Sequence, residues 1–195
     1  LGNFGTMLKE VSQTAAMLNF LNNQQNRKDH PNENFAREVM ELFTLGRGNY
    51  TENDIKEAAR AFTGWSANMK GEFVFRRFQH DFGSKTVLGR TGNFDGGEVL
   101  DILLQEKQTA RYITQKIYRF FVNEKPDNEK IDWLADRFFK NNYEIAPLME
   151  DIFTSDWFYE DKNIGALIKS PVELMVGIQR MLPMKLESED SLILL

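Results

Sequence analysis

The sequence predicts an all-α architecture of about seven or eight helices, with one small β-hairpin near residues 72–90. Three observations predict it. Apolar side chains recur at i, i+3, i+4 and i+7 through most of the chain, the spacing that lines one face of a helix. Capping and glycine stop signals punctuate that pattern at short intervals. Between residues 72 and 90 the pattern gives way to short β-branched and aromatic runs separated by turn residues.

The elements follow in order. Residues 6–25 read as one helix carrying Val11, Ala15, Leu18 and Leu21 on a single face. The polar run from Asn22 to Asn26, with Lys28, Asp29 and Pro31, is a loop. A second helix starts near Asn32, buries the stripe Phe35, Val39, Leu42 and Phe43, and stops at Leu45-Gly46, where glycine can take the left-handed conformation of a helix end. Thr51 caps a third helix, whose inward face is Ile55, Ala58, Ala59 and Phe62 and which ends at Gly64-Trp65. Phe73-Val74-Phe75 is then a strand, Lys85 to Leu88 its partner, and Asp81-Phe82-Gly83-Ser84 the turn chemistry between them.

Asp95 is placed to cap a fourth helix with Val99, Leu100, Leu103 and Leu104 inward. Ala110, Ile113, Ile117, Phe120 and Phe121 mark a fifth, and Ile131, Leu134, Ala135, Phe138 and Phe139 a sixth. Ile145, Leu148, Met149, Ile152 and Phe153 follow. The last helix opens on Ser170-Pro171 with Glu173 completing a capping box. Its apolar residues Val172, Leu174, Met175, Val176, Ile178 and Met181 lie on nearly all sides, which predicts a helix covered by neighbours or by further chain.

Composition sets bounds on function. With 195 residues, 42% of them hydrophobic and 27% charged, residues 1–195 read as a single helical domain, with 16 phenylalanines to build an aromatic core. The formal charge of −5 argues against a general nucleic-acid binder, which needs a basic face to displace counterions. Arg76-Arg77 is the place where a local basic patch could sit, or else a solvated hairpin. The absence of cysteine excludes disulfides and thiolate metal sites. No apolar run approaches the roughly 18 residues of a membrane span. The opening Leu1-Gly2-Asn3 and the apolar ending Leu192 to Leu195 read as part of a longer protein.

Two polar clusters could carry chemistry. Asn34, Glu38 and Glu41 fall on one edge of the second helix with Arg37 beside Glu41; two carboxylates at i, i+3 can hold a cation or share proton transfer, or can be ordinary surface partners. Gln79-His80-Asp81 stands at the hairpin end with Lys85 nearby; Asp81 could orient His80, or Asp81 could bond the turn backbone while His80 packs on an aromatic ring. A divalent metal would require His80 to meet Glu38 or Glu41 across space. Arg111, Lys116 and Arg119 could bind a carboxylate or phosphate, or form a solvated helix face. The segment around Asn93-Phe94-Asp95-Gly96 fails as a calcium loop, since Thr91 and Ile102 hold the positions that need acids. The glycines from Leu88 to Gly92 lack the spacing of a phosphate loop, and with two histidines the options for a triad are thin.

The run from Pro31 to Gly46, Tyr50-Thr51, Ala61-Phe62-Thr63-Gly64-Trp65, His80 to Lys85, Leu88-Gly89, Thr109-Ala110-Arg111, Lys116, Phe120-Phe121-Val122 and Lys169 to Glu173 resembles the bacterial "domain of unknown function 1800" family in order and spacing. The resemblance implies that this chain is the C-terminal part of a longer family member, an exported or envelope-associated bacterial protein acting beside a partner similar to sulfatases. It maps the family's polar motifs to Asn34, Arg37, Glu38, Glu41, His80, Asp81 and Lys85 and assigns none of them a role. Two readings follow. One is a helical accessory module working through protein contacts. The other is a hydrolase-like enzyme with Glu38 or Glu41 as base, His80 as acid or metal ligand and Asp81 as its orienter, with Asn34, Arg37, Lys85 and Arg111 as binding residues and a divalent metal as a fitting but dispensable cofactor.

Overall fold

The computed structural model describes residues 2–182. Among them are nine α-helices and two separate two-stranded antiparallel sheets. One hydrophobic cluster runs from Phe4 to Ile152.

The predicted helix over 6–25 is broken into α1 (Phe4–Ser12) and α2 (Ala15–Phe20). Thr14 takes an extended backbone and its hydroxyl accepts from the Met17 amide at 3.3 Å, which caps a new helix where the periodicity suggests continuity. Leu18 and Leu21 are buried as predicted, whereas Val11 is 40% exposed.

Helix α3 (Asn34–Glu38) runs on as a π-helix over Val39–Thr44. Phe35 and Val39 are fully buried. The wider turn rotates the residues that follow, so Leu42 is exposed while Phe43 still packs on the core. Gly46 adopts a φ of +79°, and a Cβ there would stand 2.7 Å from the Tyr112 ring, so the position needs glycine twice over. Helix α4 (Glu52–Ala61) starts from a full capping box, with Thr51 and Asp54 each satisfying the other's amide. It buries Ile55, Ala58, Ala59 and Ala61. Phe62, just beyond, meets Phe35 edge-on at 4.9 Å and Trp65 at 5.2 Å.

The strand pairing differs from the single hairpin expected. Gly64, at φ +81°, turns the chain so that Trp65 opens a strand instead of closing a helix. β1 (Trp65–Ala67) pairs with β2 (Phe73–Phe75), Trp65 opposite Phe75. The segment expected to partner β2 forms instead β3 (Lys85–Val87), paired with β4 (Arg90–Gly92). Leu88 and Gly89 both have positive φ, 49° and 77°, the geometry of a two-residue hairpin turn. A leucine is an unusual occupant of that position. The Leu88 amide donates to the Asp54 carboxylate at 2.8 Å, which fastens the turn to the start of α4.

Helices α5 (Gly96–Gln105), α6 (Lys107–Phe121), α7 (Asn128–Lys140) and α8 (Ile145–Phe153) follow. Asp95 caps α5 as predicted. Along α6 the inward face ends on Tyr118, which is buried, whereas Phe120 and Phe121 are exposed. The Phe4 amide donates to the Tyr143 carbonyl at 2.9 Å, tying the start of α1 to the turn before α8.

Helix α9 (Pro171–Met181) has the predicted capping box between Ser170 and Glu173. It buries none of its residues. Val172 is 71% exposed, and Leu174, Met175 and Val176 are exposed as well, so the covering expected of this helix is not supplied by the described residues. The polar tail from Met184 and the apolar run Leu192 to Leu195 lie outside the described residues.

Candidate functional site

Of the polar residues singled out in the sequence, Arg37 and Asp81 anchor two networks, one at each end of α4. At its first turn Arg37 grips Glu52 with both guanidinium nitrogens, at 2.9 and 2.7 Å, and also reaches Glu33 at 3.1 Å. The paired carboxylate of Glu52 raises the Arg37 pKa and Glu52 itself is lowered by the same bond. Arg37 therefore does not take Glu41, its expected i, i+4 partner. The π-helix is the reason: the Leu45 amide reaches back to the Met40 carbonyl and the Thr44 hydroxyl to Val39, and that widened turn carries Glu41 toward the following loop.

There Glu41 accepts from the Tyr50 hydroxyl at 2.5 Å and from Arg47 at 3.0 Å. These two bonds, Tyr50 first, hold its carboxyl below the usual glutamate range. Partial burial and the adjacent carboxylate push the Tyr50 hydroxyl up to about 12. Asn34 spends its amide on the Leu21 carbonyl at 3.1 Å. Glu38 is half-buried and makes no side-chain hydrogen bond or ion pair among the described residues.

The second network sits at the last turn of α4. Arg60 binds Glu57 at 2.9 Å and Asp81 at 2.7 Å. That bond to Arg60 lowers the Asp81 pKa. The other Asp81 oxygen accepts from the Gly83 amide at 2.7 Å. Asp81 is thus committed to Arg60 and the turn, and does not orient His80. His80 is 3% exposed, with Nδ1 2.9 Å from the Thr63 carbonyl. A ring nitrogen facing a carbonyl must carry the proton, which fixes the tautomer. Its ring lies edge-on to Phe75 at 5.1 Å and to Phe82 at 4.6 Å, and burial lowers its pKa.

Lys85 is 1% exposed. Its ammonium donates to the carbonyls of Asp81 at 2.5 Å and Gly83 at 3.0 Å, and burial lowers its pKa. The lysine is an internal tie that closes the loop between His80 and β3.

Arg37 engages α4 at residue 52 and Asp81 engages it at residue 60, so the two networks stand roughly 12 Å apart along the helix at its ordinary rise. The structure brings His80, Asp81 and Lys85 together, and brings Asn34, Arg37, Glu38 and Glu41 onto one neighbouring stretch. It does not bring the two sets together. No group of three or more histidine, aspartate or glutamate side chains among the described residues could hold a metal ion.

Arg111 lies elsewhere, in a cleft of about 200 Å³ between α6 and α7, bonded to Asp132 at 2.6 Å and Asn128 at 3.1 Å. Lys116 donates to the Leu42 carbonyl at 2.6 Å, and Gln108 to the Leu45 carbonyl at 2.9 Å. Both close the open carbonyl end of the π-helix, where a cation also suits the helix dipole. The sequence reading missed Tyr50, Glu57, Arg60 and Thr63. The Glu57–Arg60 spacing of i, i+3 was a visible signal; the third member, Asp81, is 21 residues away and had none.

No curated protein and no solved structure matches this chain. The family model described as "Protein of unknown function (DUF1800)" matches residues 1–192, and the chain belongs to that family.

Proposed function

We propose that this domain is a helical accessory module of an exported bacterial protein and works by binding another protein outside the cytoplasm, a sulfatase-like one by the family resemblance. The observation that carries this reading is α9 and the segment before it. Ile164, Ile168, Val172, Leu174, Met175 and Val176 are all exposed. Apolar surface of that extent marks an interaction site in a folded protein. The polar candidates support the same reading, since Glu41, Asp81 and Lys85 are each saturated by neighbours.

The test is co-elution with the sulfatase-like protein on size exclusion, comparing the native chain with the double variant Val172→Asp and Val176→Asp. Co-elution lost in the variant supports the reading. No complex with the native chain sinks it.

A hydrolase-like reading keeps one observation in its favour. Glu38 is a partly exposed carboxylate without a side-chain partner among the described residues, and it directly precedes a π-helix, a feature frequent at functional sites. Turnover of a sulfate or carboxylic ester that Glu38→Gln abolished would establish it.

A further inference from the structure

We propose that the loop cluster around Phe78 docks on a phospholipid surface bearing anionic headgroups. Two loops distant in sequence are built into one platform there. Gly64 is the hinge: its amide donates to the Asn26 carbonyl at 3.2 Å, and its carbonyl accepts from Arg76 at 2.8 Å. A Cβ on Gly64 would stand 2.7 Å from the Arg76 oxygen, so only glycine lets the loops approach. The Lys28 amide then reaches the Gln79 carbonyl at 2.8 Å.

This platform carries Arg27, Lys28, Arg76 and Arg77. None of the four makes an ion pair among the described residues, in a chain whose net charge is −5. The acids nearby offset them only in part. Asp81 is held by Arg60, whereas Asp29 and Glu72, which accepts from the neutral Asn68 amide, keep their charges against the four cations. Among these cations Phe78 stands 75% exposed and Phe82 49%, and the Arg77 guanidinium lies 5.5 Å from the Phe82 ring centre.

The combination has a specific chemical meaning. Isolated cations on a surface are ordinary, and so is a single exposed apolar residue. Aromatic rings projecting from a set of unpaired guanidinium and ammonium groups match a headgroup layer: the rings enter the acyl boundary and the cations meet the phosphates. The clefts that could seat an acidic peptide, beside Arg111 and beside Lys116 and Phe120, lie elsewhere on the chain. This surface is also separate from α9, so the inference does not rest on the protein-binding reading.

Co-sedimentation with vesicles tests it. The full chain is mixed with phosphatidylcholine vesicles, and with vesicles in which about one-third of the lipid is phosphatidylglycerol. Pelleting with the anionic vesicles alone is expected, weakened by added salt. Arg77→Glu should weaken it on the order of 30-fold, because reversal removes one attraction and adds one repulsion. Phe78→Ala should weaken it about 10-fold. Both residues are exposed, so the melting temperature should not move. The double variant Val172→Asp and Val176→Asp should pellet like the native chain. Equal pelleting with both vesicle types overturns the proposal, as does loss in the α9 variant but not in Phe78→Ala. So does failure to pellet while the chain binds a poly-glutamate peptide or single-stranded DNA, which would assign the patch to another polyanion.

Discussion

Helices α4 and α9 begin with the same device. Thr51 with Asp54 and Ser170 with Glu173 each form a complete capping box ahead of a helix of similar length. Beyond the first turn they part. α4 buries Ile55, Ala58, Ala59 and Ala61 and has polar networks at both ends, whereas α9 buries nothing. A cap is written in four consecutive residues, so it forms wherever they occur. Burial requires a second surface, which a helix cannot supply for itself.

The comparison can be broken by mutation. Phe62→Ala removes the ring between Phe35 and Trp65 and should cost about 3–5 kcal/mol in denaturant unfolding; a cost below about 1 kcal/mol would mean the α4 side is not the core. Lys85→Met leaves the carbonyls of Asp81 and Gly83 without their donor, and a loss of about 3 kcal/mol is expected from such a buried charged tie. A neutral outcome would show that the apolar stem, rather than the ammonium, holds the loop. Gly46→Ala should cost about 1–3 kcal/mol from its backbone conformation, with the Tyr112 ring forced to shift.

A shallower effect comes from pH. The folded-state pKa of His80 is lowered by burial, so the unfolded chain binds the proton more readily. Stability from this group is present above about pH 6.5 and falls as pH drops below it toward the folded value. A pH series of melting temperatures should show that decline, and His80→Gln should flatten it. Smallest of all, Val176→Ala on α9 should stay within about 0.5 kcal/mol. A large loss there would place α9 in a packed environment after all and erase the contrast with α4.

Much of the helical plan was legible because its signals are local. Thr51, Asp95 and Ser170 cap where the sequence places them, and Phe35, Ile55, Leu103 and Phe138 are buried on the faces their spacing defines. What the sequence hid depends on partners far along the chain. The β2 strand chose Trp65–Ala67 over Lys85–Val87 because Gly64 and the Leu88-Gly89 turn redirect the backbone, and a leucine at positive φ gives no warning. Arg37 and Glu41 looked like a helical pair until the π-helix turned one away from the other. His80 and Asp81 are adjacent in sequence yet face Thr63 and Arg60, as the opposed side chains of extended backbone tend to do.

The π-helix has a consequence for the order in which the chain folds. Its open carbonyl at Leu42 is met by Lys116, 74 residues later, and that at Leu45 by Gln108, 63 residues later, as well as by the nearby Asn49 side-chain amide. A cap supplied from that distance cannot form by local search, so it carries the entropy cost of closing a long loop. The segment from Asn34 to Ala61 carries the bonds of its wide turn within itself, from the Leu45 amide to Met40 and from the Thr44 hydroxyl to Val39, and only the outer cap on Leu42 waits for α6. A chain that stops before residue 108 lacks both distant donors, and its Leu42 carbonyl is left to water.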